Sequence, residues 1–352
     1  MVKQPTIVVT GAAGFIGSVF VQYLNEQGFH QLLLVDDFGV EEKRKNWEQK
    51  QFIKVIERQS FIAQLENDEF EVDAIVHLGA RTDTTEFNYA IHEELNLNYS
   101  KSLWNYATQK KIPFIYASSA ATYGAGEHGY DDNHEIVNQL TPLNPYGVSK
   151  NEFDKWALTQ SNQPLSWTGL KFFNVYGPNE SHKARMASVI FHSFNQIKQT
   201  GLVKLFKSHK EGFKDGEQLR DFVYVKDLVK VIGWMLHQMM SNSWNANKNG
   251  LYNLGTGKAR SFYDLAANTF KAQGLAPNIE FIDMPLDIRD KYQYFTEANM
   301  NKLSAAGYDK PFSSLEEGVT DYVKNYLLNK MIFEEGLFST FNFSDFYKNI
   351  TN

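Results

Sequence analysis

Short, almost wholly apolar runs alternate along the chain with longer stretches whose apolar residues recur at helical spacing. Ile7–Thr10, Leu32–Asp36, Ala74–Leu78, Phe114–Ser118, Thr168–Phe173 and Leu251–Leu254 are the runs. They are too short for helices and too uniformly apolar for strands with one wet face, so they predict strands covered on both sides. Gly14–Gln27, Asn88–Lys110, Tyr146–Ser161 and Asp227–Met240 fall between them and predict crossover helices. The implied fold class is α/β: a doubly wound parallel sheet of six strands, the Rossmann arrangement. Ligands of such sheets sit at the carboxyl ends of the strands, so the residues that follow each strand carry the functional information.

From Gly177-Pro178 to about Gln218 the chain is polar and interrupted, and a short strand follows at Asp221–Val225. Beyond Leu254 come a helix at Ser261–Lys271, a proline-punctuated stretch and an amphipathic helix near Leu315–Leu328. This predicts a sheet domain of residues 1–176 with 251–257, interleaved with a smaller substrate lobe of 177–250 and 258–330. Residues 331–352, rich in phenylalanine, read as a C-terminal packing or oligomer extension.

Immediately after the first strand, Gly11-Ala12-Ala13-Gly14-Phe15-Ile16-Gly17 opens a helix. This GxxGxxG spacing suits a dinucleotide: Gly11 for the sharp turn, Gly14 for backbone approach to the diphosphate, Gly17 for close helix packing. The free N–H groups of Phe15, Ile16 and their neighbours, at the positive helix end, would hold the phosphates. Asp36-Asp37 closes the second strand, where a carboxylate bonds the adenosine ribose and favours NAD. Lys43, Arg44, Lys45 and Arg58 follow, and could pair a 2′-phosphate or simply face water, so the residues leave NADP against NAD open. Leu78-Gly79-Ala80, after His77, would pass close to adenine and ribose, with Asn96 bracing that loop.

Ser119 directly follows the fourth apolar run, and Tyr146-Gly147-Val148-Ser149-Lys150 follows it by 27 residues. On a helix, Tyr146 and Lys150 share a face. An ordinary phenol, with a pKa of about 10, is a poor base at neutral pH. A neighbouring ammonium and an oxidised nicotinamide ring would stabilise the phenolate. Lys150 would also hold the nicotinamide ribose, and Ser119 the substrate hydroxyl. The group predicts hydride transfer at an alcohol carbon.

Composition narrows the remaining choices. A formal charge of −6 gives no attraction to phosphate backbones, so nucleic acid is not expected as a partner. The absence of cysteine removes disulfides, thiol nucleophiles and thiolate metal sites, and the nine histidines show no metal-ligand spacing. No basic leader or membrane-length apolar segment is seen, so a cytoplasmic protein without membrane association is expected.

Longer strings resemble one family, the ADP-L-glycero-D-manno-heptose 6-epimerases, over about residues 5–328. They are YASSAATYG at Tyr116–Gly124, FFNVYGPNESHKARMASVIFH at Phe172–His192, RDFVYVKD at Arg220–Asp227, YNLGTGKARSF at Tyr252–Phe262 and the stretch Tyr292–Phe312. The resemblance implies epimerisation at C6″ of ADP-D-glycero-β-D-manno-heptose on bound NADP, for lipopolysaccharide core heptose, in a homo-oligomer, a pentamer. It implies Lys43 and Arg58 as phosphate partners, Val175 against the cofactor, and Lys183 beside the cofactor as the second acid–base group. It further implies substrate contacts from Ser119, Asn174, Arg185, His192, Phe206, Lys207, Ser208, His209, Arg220 and Tyr292. Ala184-Arg185 stands where the family often has small residues, and Asp36-Asp37 where Asp-Asn is common. The alternatives are another NAD(P)-dependent nucleotide-sugar epimerase or a reductase on the same scaffold. A dehydratase would place Asp-Glu where Ala120-Ala121 stands, and a scaffold protein would lack Tyr146 or Lys150.

Overall fold

A computed structural model describes residues 4–284, 289 and 292–328; the extension at 331–352 lies outside them. The first six strands are β1 (Ile7–Thr10), β2 (Leu32–Asp36), β3 (Lys54–Glu57), β4 (Ala74–His77), β5 (Phe114–Ser119) and β6 (Trp167–Phe172). The crossovers between them carry α1 (Phe15–Glu26), α2 (Arg58–Glu66), α3 (Tyr89–His92), α4 (Tyr99–Lys110) and α5 (Pro145–Thr159). The chain then leaves the sheet for β7 (Asn174–Tyr176), α6 (Val189–Thr200), β8 (Val203–Phe206), β9 (Leu219–Tyr224) and α7 (Val225–Met240). It returns as β10 (Gly250–Leu254), and β11 (Ala259–Ser261), α8 (Phe262–Ala272) and β12 (Ile279–Ile282) follow.

The main sheet is parallel throughout, in the order β10-β6-β5-β4-β1-β2-β3. It has seven strands, one more than the apolar runs predict. The additional strand, β3, lies at the edge and buries only Ile56, so its sequence lacks the apolar run of a central strand. The sheet order reverses between β1 and β4, which opens a crevice above their carboxyl ends. β7 joins β9 and β11 in a three-stranded sheet, and β8 pairs with β12. The stretch 177–218, polar and interrupted in sequence, also contains α6, whose Ile190, Phe194 and Ile197 are buried along one face.

One aspect of the core bears directly on the crevice. Asp154 of α5 and Lys171 of β6 form an ion pair of 2.7 Å at 0% and 1% exposure. Asp154 also accepts from Ser118 Oγ at 2.7 Å and Tyr116 Oη at 2.9 Å, and Lys171 donates to Thr122 Oγ1 at 2.7 Å. A buried charge without its partner is far costlier than the pair. Lys171→Met is therefore expected to cost about 3 kcal/mol in chemical denaturation. Adding Asp154→Asn should recover much of that loss; a double variant as unstable as the single one would contradict the assignment.

Candidate active site

The turn after β1 is built for close approach of main chains. Gly11 has φ +68°, and a Cβ there would lie 2.7 Å from the Gly79 nitrogen. A Cβ on Gly17 would lie 2.0 Å from the Gly11 carbonyl oxygen. Helix α1 starts at Gly14 with no side-chain cap and no acidic residue in its first turn, where Phe15, Ile16 and Gly17 stand. Its N–H groups and positive end thus remain available to an anion, as a dinucleotide diphosphate requires. Across the crevice, the half-buried Leu78-Gly79-Ala80 follows β4. Asn96 ties the next residue down, accepting from Arg81 N at 2.7 Å and donating to Arg81 O at 3.0 Å and Ser149 Oγ at 3.0 Å. His77 is a satisfied core residue, bonded to Thr10 Oγ1 and Ser100 Oγ, and burial pushes its pKa down to about 3.

The ribose end lies at the close of β2. Asp36 accepts from Ala13 N at 2.9 Å, Asp37 N at 2.7 Å and Lys43 Nζ at 2.9 Å. Arg58 begins α2 directly after Glu57, which is in register with Asp36. The fold therefore brings together a carboxylate suited to ribose hydroxyls and two cations suited to a phosphate.

Tyr146 occupies the first turn of α5, which starts cleanly because Pro145 stands at its first position and Asn144 accepts from Gly147 N at 2.8 Å. Close packing of that turn on the Ser119 loop needs Gly147, where a Cβ would lie 2.8 Å from the Ala121 carbonyl oxygen. Ser119 is hydrogen-bonded to the Tyr146 side chain and caps the turn Ala120–Tyr123 by accepting from Ala121 N at 3.1 Å. One helical turn beyond Tyr146, the buried Lys150 donates to the Ala117 carbonyl at 2.8 Å. Burial raises the Tyr146 pKa, and the Ser119 hydrogen bond opposes it. Burial lowers Lys150 to about 8, and the Asp154 charge opposes that.

Lys183 reaches the crevice from the turn Ser181–Met186, with Nζ 5.6 Å from the centre of the Phe15 ring. Burial lowers its pKa, and the nearby Glu180 carboxylate holds it up. In the smaller sheets, Arg220 is 7% exposed, with its guanidinium 5.3 Å from the Tyr292 ring centre and 5.7 Å from that of Phe262. It donates to the carbonyls of Leu219 and Gln293, and among the described residues no carboxylate pairs with it. Phe206 meets Tyr292 edge-on at 6.3 Å. Lys207, Ser208 and His209 continue from β8; Lys207 faces Asp283 at 3.4 Å and His209 N donates to Tyr294 Oη at 2.9 Å. Asn174 is exposed and Val175 half-buried on β7.

Arg185 is exposed on the rim, bonded to Asp83 at 3.1 Å and to Thr85, and its carbonyl lies 3.3 Å from His192 Nε2. The Asp154–Lys171 pair, Glu180 and Asn46 escape motif reading, because each contacts main chain or a distant residue rather than a ligand. A charged residue inside an apolar pattern, such as Lys171 within Thr168–Phe173, is the one sequence signal among them.

A family model described as the NAD dependent epimerase/dehydratase family matches residues 7–255. The chain belongs to that family. An ADP-L-glycero-D-manno-heptose-6-epimerase of Fusobacterium nucleatum subsp. nucleatum is 51% identical over 332 residues, covering 91% of this chain and 98% of the relative. One from Nitratidesulfovibrio vulgaris is 45% identical over 322 residues, with 91% and 97% covered. Among solved structures, the Helicobacter pylori ADP-L-glycero-D-manno-heptose-6-epimerase has a TM-score of 0.74 at 28% identity, covering 91% of this chain and 95% of that one. A Thermus thermophilus UDP-glucose 4-epimerase solved with NAD has a TM-score of 0.71 at 24% identity, covering 90% and 97%, a likeness of fold. This family member is thus an enzyme of the epimerase type that uses a nicotinamide dinucleotide, and its doubly wound sheet is the one expected. No helix among the described residues is long and apolar enough to cross a membrane.

The depressed pKa of Lys150 has a consequence for stability. Its folded value of about 8 lies below the ordinary 10.5, so between these values the unfolded chain binds more protons and stability rises with pH. Below about 8 the fold carries the full cost of the buried ammonium. Lys150→Met in nucleotide-free protein should therefore gain most in thermal midpoint, relative to the parent, at pH 7, and least near pH 10. A difference that is constant with pH would contradict that burial cost.

Proposed function

We propose that the protein converts ADP-D-glycero-β-D-manno-heptose to its L-glycero epimer at C6″ on tightly held NADP, with Tyr146 and Lys183 as proton carriers for opposite faces of the carbon. The observation that carries this reading is the pair of separate proton-carrying groups at one crevice. Tyr146 is bonded to Ser119 on one element, and Lys183 is set over the first turn of the cofactor-loop helix from another. The bound nicotinamide supplies the chemistry of removing hydride from C6″ and returning it. Tyr146 takes the proton of the C6″ hydroxyl, Ser119 holds the same oxygen, and Lys150 keeps positive charge beside the phenolate. After the resulting ketone presents its other face, Lys183 delivers the proton to the oxygen, and its lowered pKa makes it a better acid than a surface lysine. Two carriers and one recycled cofactor give inversion without net redox change.

Arg220 is suited to the diphosphate, because its buried guanidinium has no carboxylate partner among the described residues and keeps N–H donors beyond the two spent on the Leu219 and Gln293 carbonyls. Phe206, Lys207, Ser208, His209 and Tyr292 would line the nucleotide end, and Asn174, Arg185 and His192 the sugar end. Lys43 and Arg58 support NADP over NAD, since the Lys43 ammonium offsets the Asp36 carboxylate at 2.9 Å. The product supplies heptose for the lipopolysaccharide core. A cytoplasmic homo-oligomer belongs to the same reading.

Protein purified without added nucleotide should release NADP on denaturation, identified by absorbance and mass, and should interconvert the two epimers with no added cofactor. Release of NAD would remove Lys43 and Arg58 from phosphate binding, and stoichiometric consumption of NADPH would make the enzyme a reductase. Tyr146→Phe and Lys183→Met should each slow epimerisation by about 100-fold or more while leaving nucleotide content and thermal midpoint near those of the parent. An unchanged rate in either variant would take that residue out of the mechanism.

A further inference from the structure

The turn that carries Lys183 does not hold itself in place. It is one short 3-10 segment, Ser181–Met186, interrupted at Ala184, where φ is +46° and ψ −120°. Just before it, Asn179 has φ +71°. Side chains with a Cβ enter such conformations at a cost on the order of 1 kcal/mol each, so contacts outside the turn must fix it. The Glu180 carboxylate supplies one anchor, accepting from Ser188 N and Ser188 Oγ at 2.6 Å. Asn179 supplies another, donating to Ser18 Oγ of α1 at 3.0 Å.

The third anchor comes from the cofactor side. Asn46, 1% exposed, ends the turn Glu41–Asn46 that also carries Lys43. Its Nδ2 lies 3.1 Å from the Ala13 carbonyl oxygen, 3.3 Å from that of Asn179 and 3.2 Å from His182 Nδ1. Two hydrogens are thus shared among three acceptors. His182 is able to accept because its imidazole is neutral, its pKa pushed down to about 4 by burial and by the charges of Lys43 and Lys183. We infer that Asn46 is a positioning residue for Lys183: its buried amide ties the glycine loop at Ala13 to the turn that holds the lysine over Phe15. The inference rests on the reading of Lys183 as the second proton carrier. Asn46 touches none of Ser119, Tyr146 and Lys150 in this scheme, and its other contact is to the glycine loop at Ala13, so with nucleotide content unchanged its effect on turnover runs through Lys183.

A double-mutant cycle separates this role from a general structural one. Asn46→Ala, Lys183→Met and the double variant are assayed for epimerisation at saturating substrate with NADP added, alongside nucleotide content and thermal midpoint. Asn46→Asp, which keeps the shape and loses the N–H donors, is the second Asn46 variant. The expected result for Asn46→Ala is a fall in kcat of about 10- to 100-fold with little change in KM. The double variant should be no slower than Lys183→Met alone. Losses that multiply in the double variant, an Asn46→Ala within twofold of the parent, or failure of both Asn46 variants to fold would each overturn the inference. Near-normal turnover in Lys183→Met by itself would instead overturn the two-carrier reading, and the inference with it, so the two failures are distinct.

Discussion

A half-buried phenol and a buried ammonium, one helical turn apart, set the terms for the rest of the site. Burial acts on both in the direction that opposes the chemistry: it makes the Tyr146 phenolate harder to form and the Lys150 ammonium harder to keep. The chain answers with fixed dipoles and one fixed charge. Ser119 bonds the phenol, the Ala117 carbonyl accepts from the ammonium, and Asp154 stabilises its charge. These do not cancel the burial cost, since Lys150 still lies near 8 and Tyr146 above the ordinary tyrosine value. The remaining offset has to come from bound ligands. A site arranged in this way is poorly reactive toward solvent when empty, and it is costly to the fold, a familiar trade between stability and function.

Asp154 can serve Lys150 only because its own charge is compensated. With Lys171 at 2.7 Å and hydroxyls from Ser118 and Tyr116, the carboxylate is fully partnered inside the core. The same network sets geometry: Ser118 precedes Ser119 on β5, and Lys171 reaches Thr122 in the turn that follows. The ion pair thus fixes the strand end and the turn between which Ser119 is presented. Buried ion pairs are weak sources of stability. Here the pair is better understood as a means of placing a serine, a tyrosine and a lysine from two stretches of chain.

Much of this was legible in the sequence, because the rules involved are local. The glycine turn, the apolar parallel strands and the Tyr146-to-Lys150 spacing each occupy consecutive residues, and each lies where the pattern puts it. What was not legible depends on distant partners or on weak patterns. Strand β3 has one buried side chain and is held by main-chain pairing with β2. Helix α6 begins within the Phe172–His192 string, yet its buried stripe of Ile190, Phe194 and Ile197 is interrupted by polar residues that obscured it. Asn46 lies 133 residues before Asn179, and no spacing rule connects them.

The two groups proposed as proton carriers are supported in different ways, and the difference follows from what the proposed epimerisation needs. Tyr146 projects from a proline-started, side-chain-capped helix packed on the sheet. Lys183 projects from an irregular turn with positive φ on either side of it. β7 leads the chain out of the main sheet directly after β6, and the connection from β7 to α6 passes over the α1 terminus. A short connection can bring an ammonium over the opposite side of a carbon without filling the space in which the sugar must turn. Its cost is backbone strain, and the anchors at Ser18, Ser188 and Asn46 hold the strained turn against the start of α1.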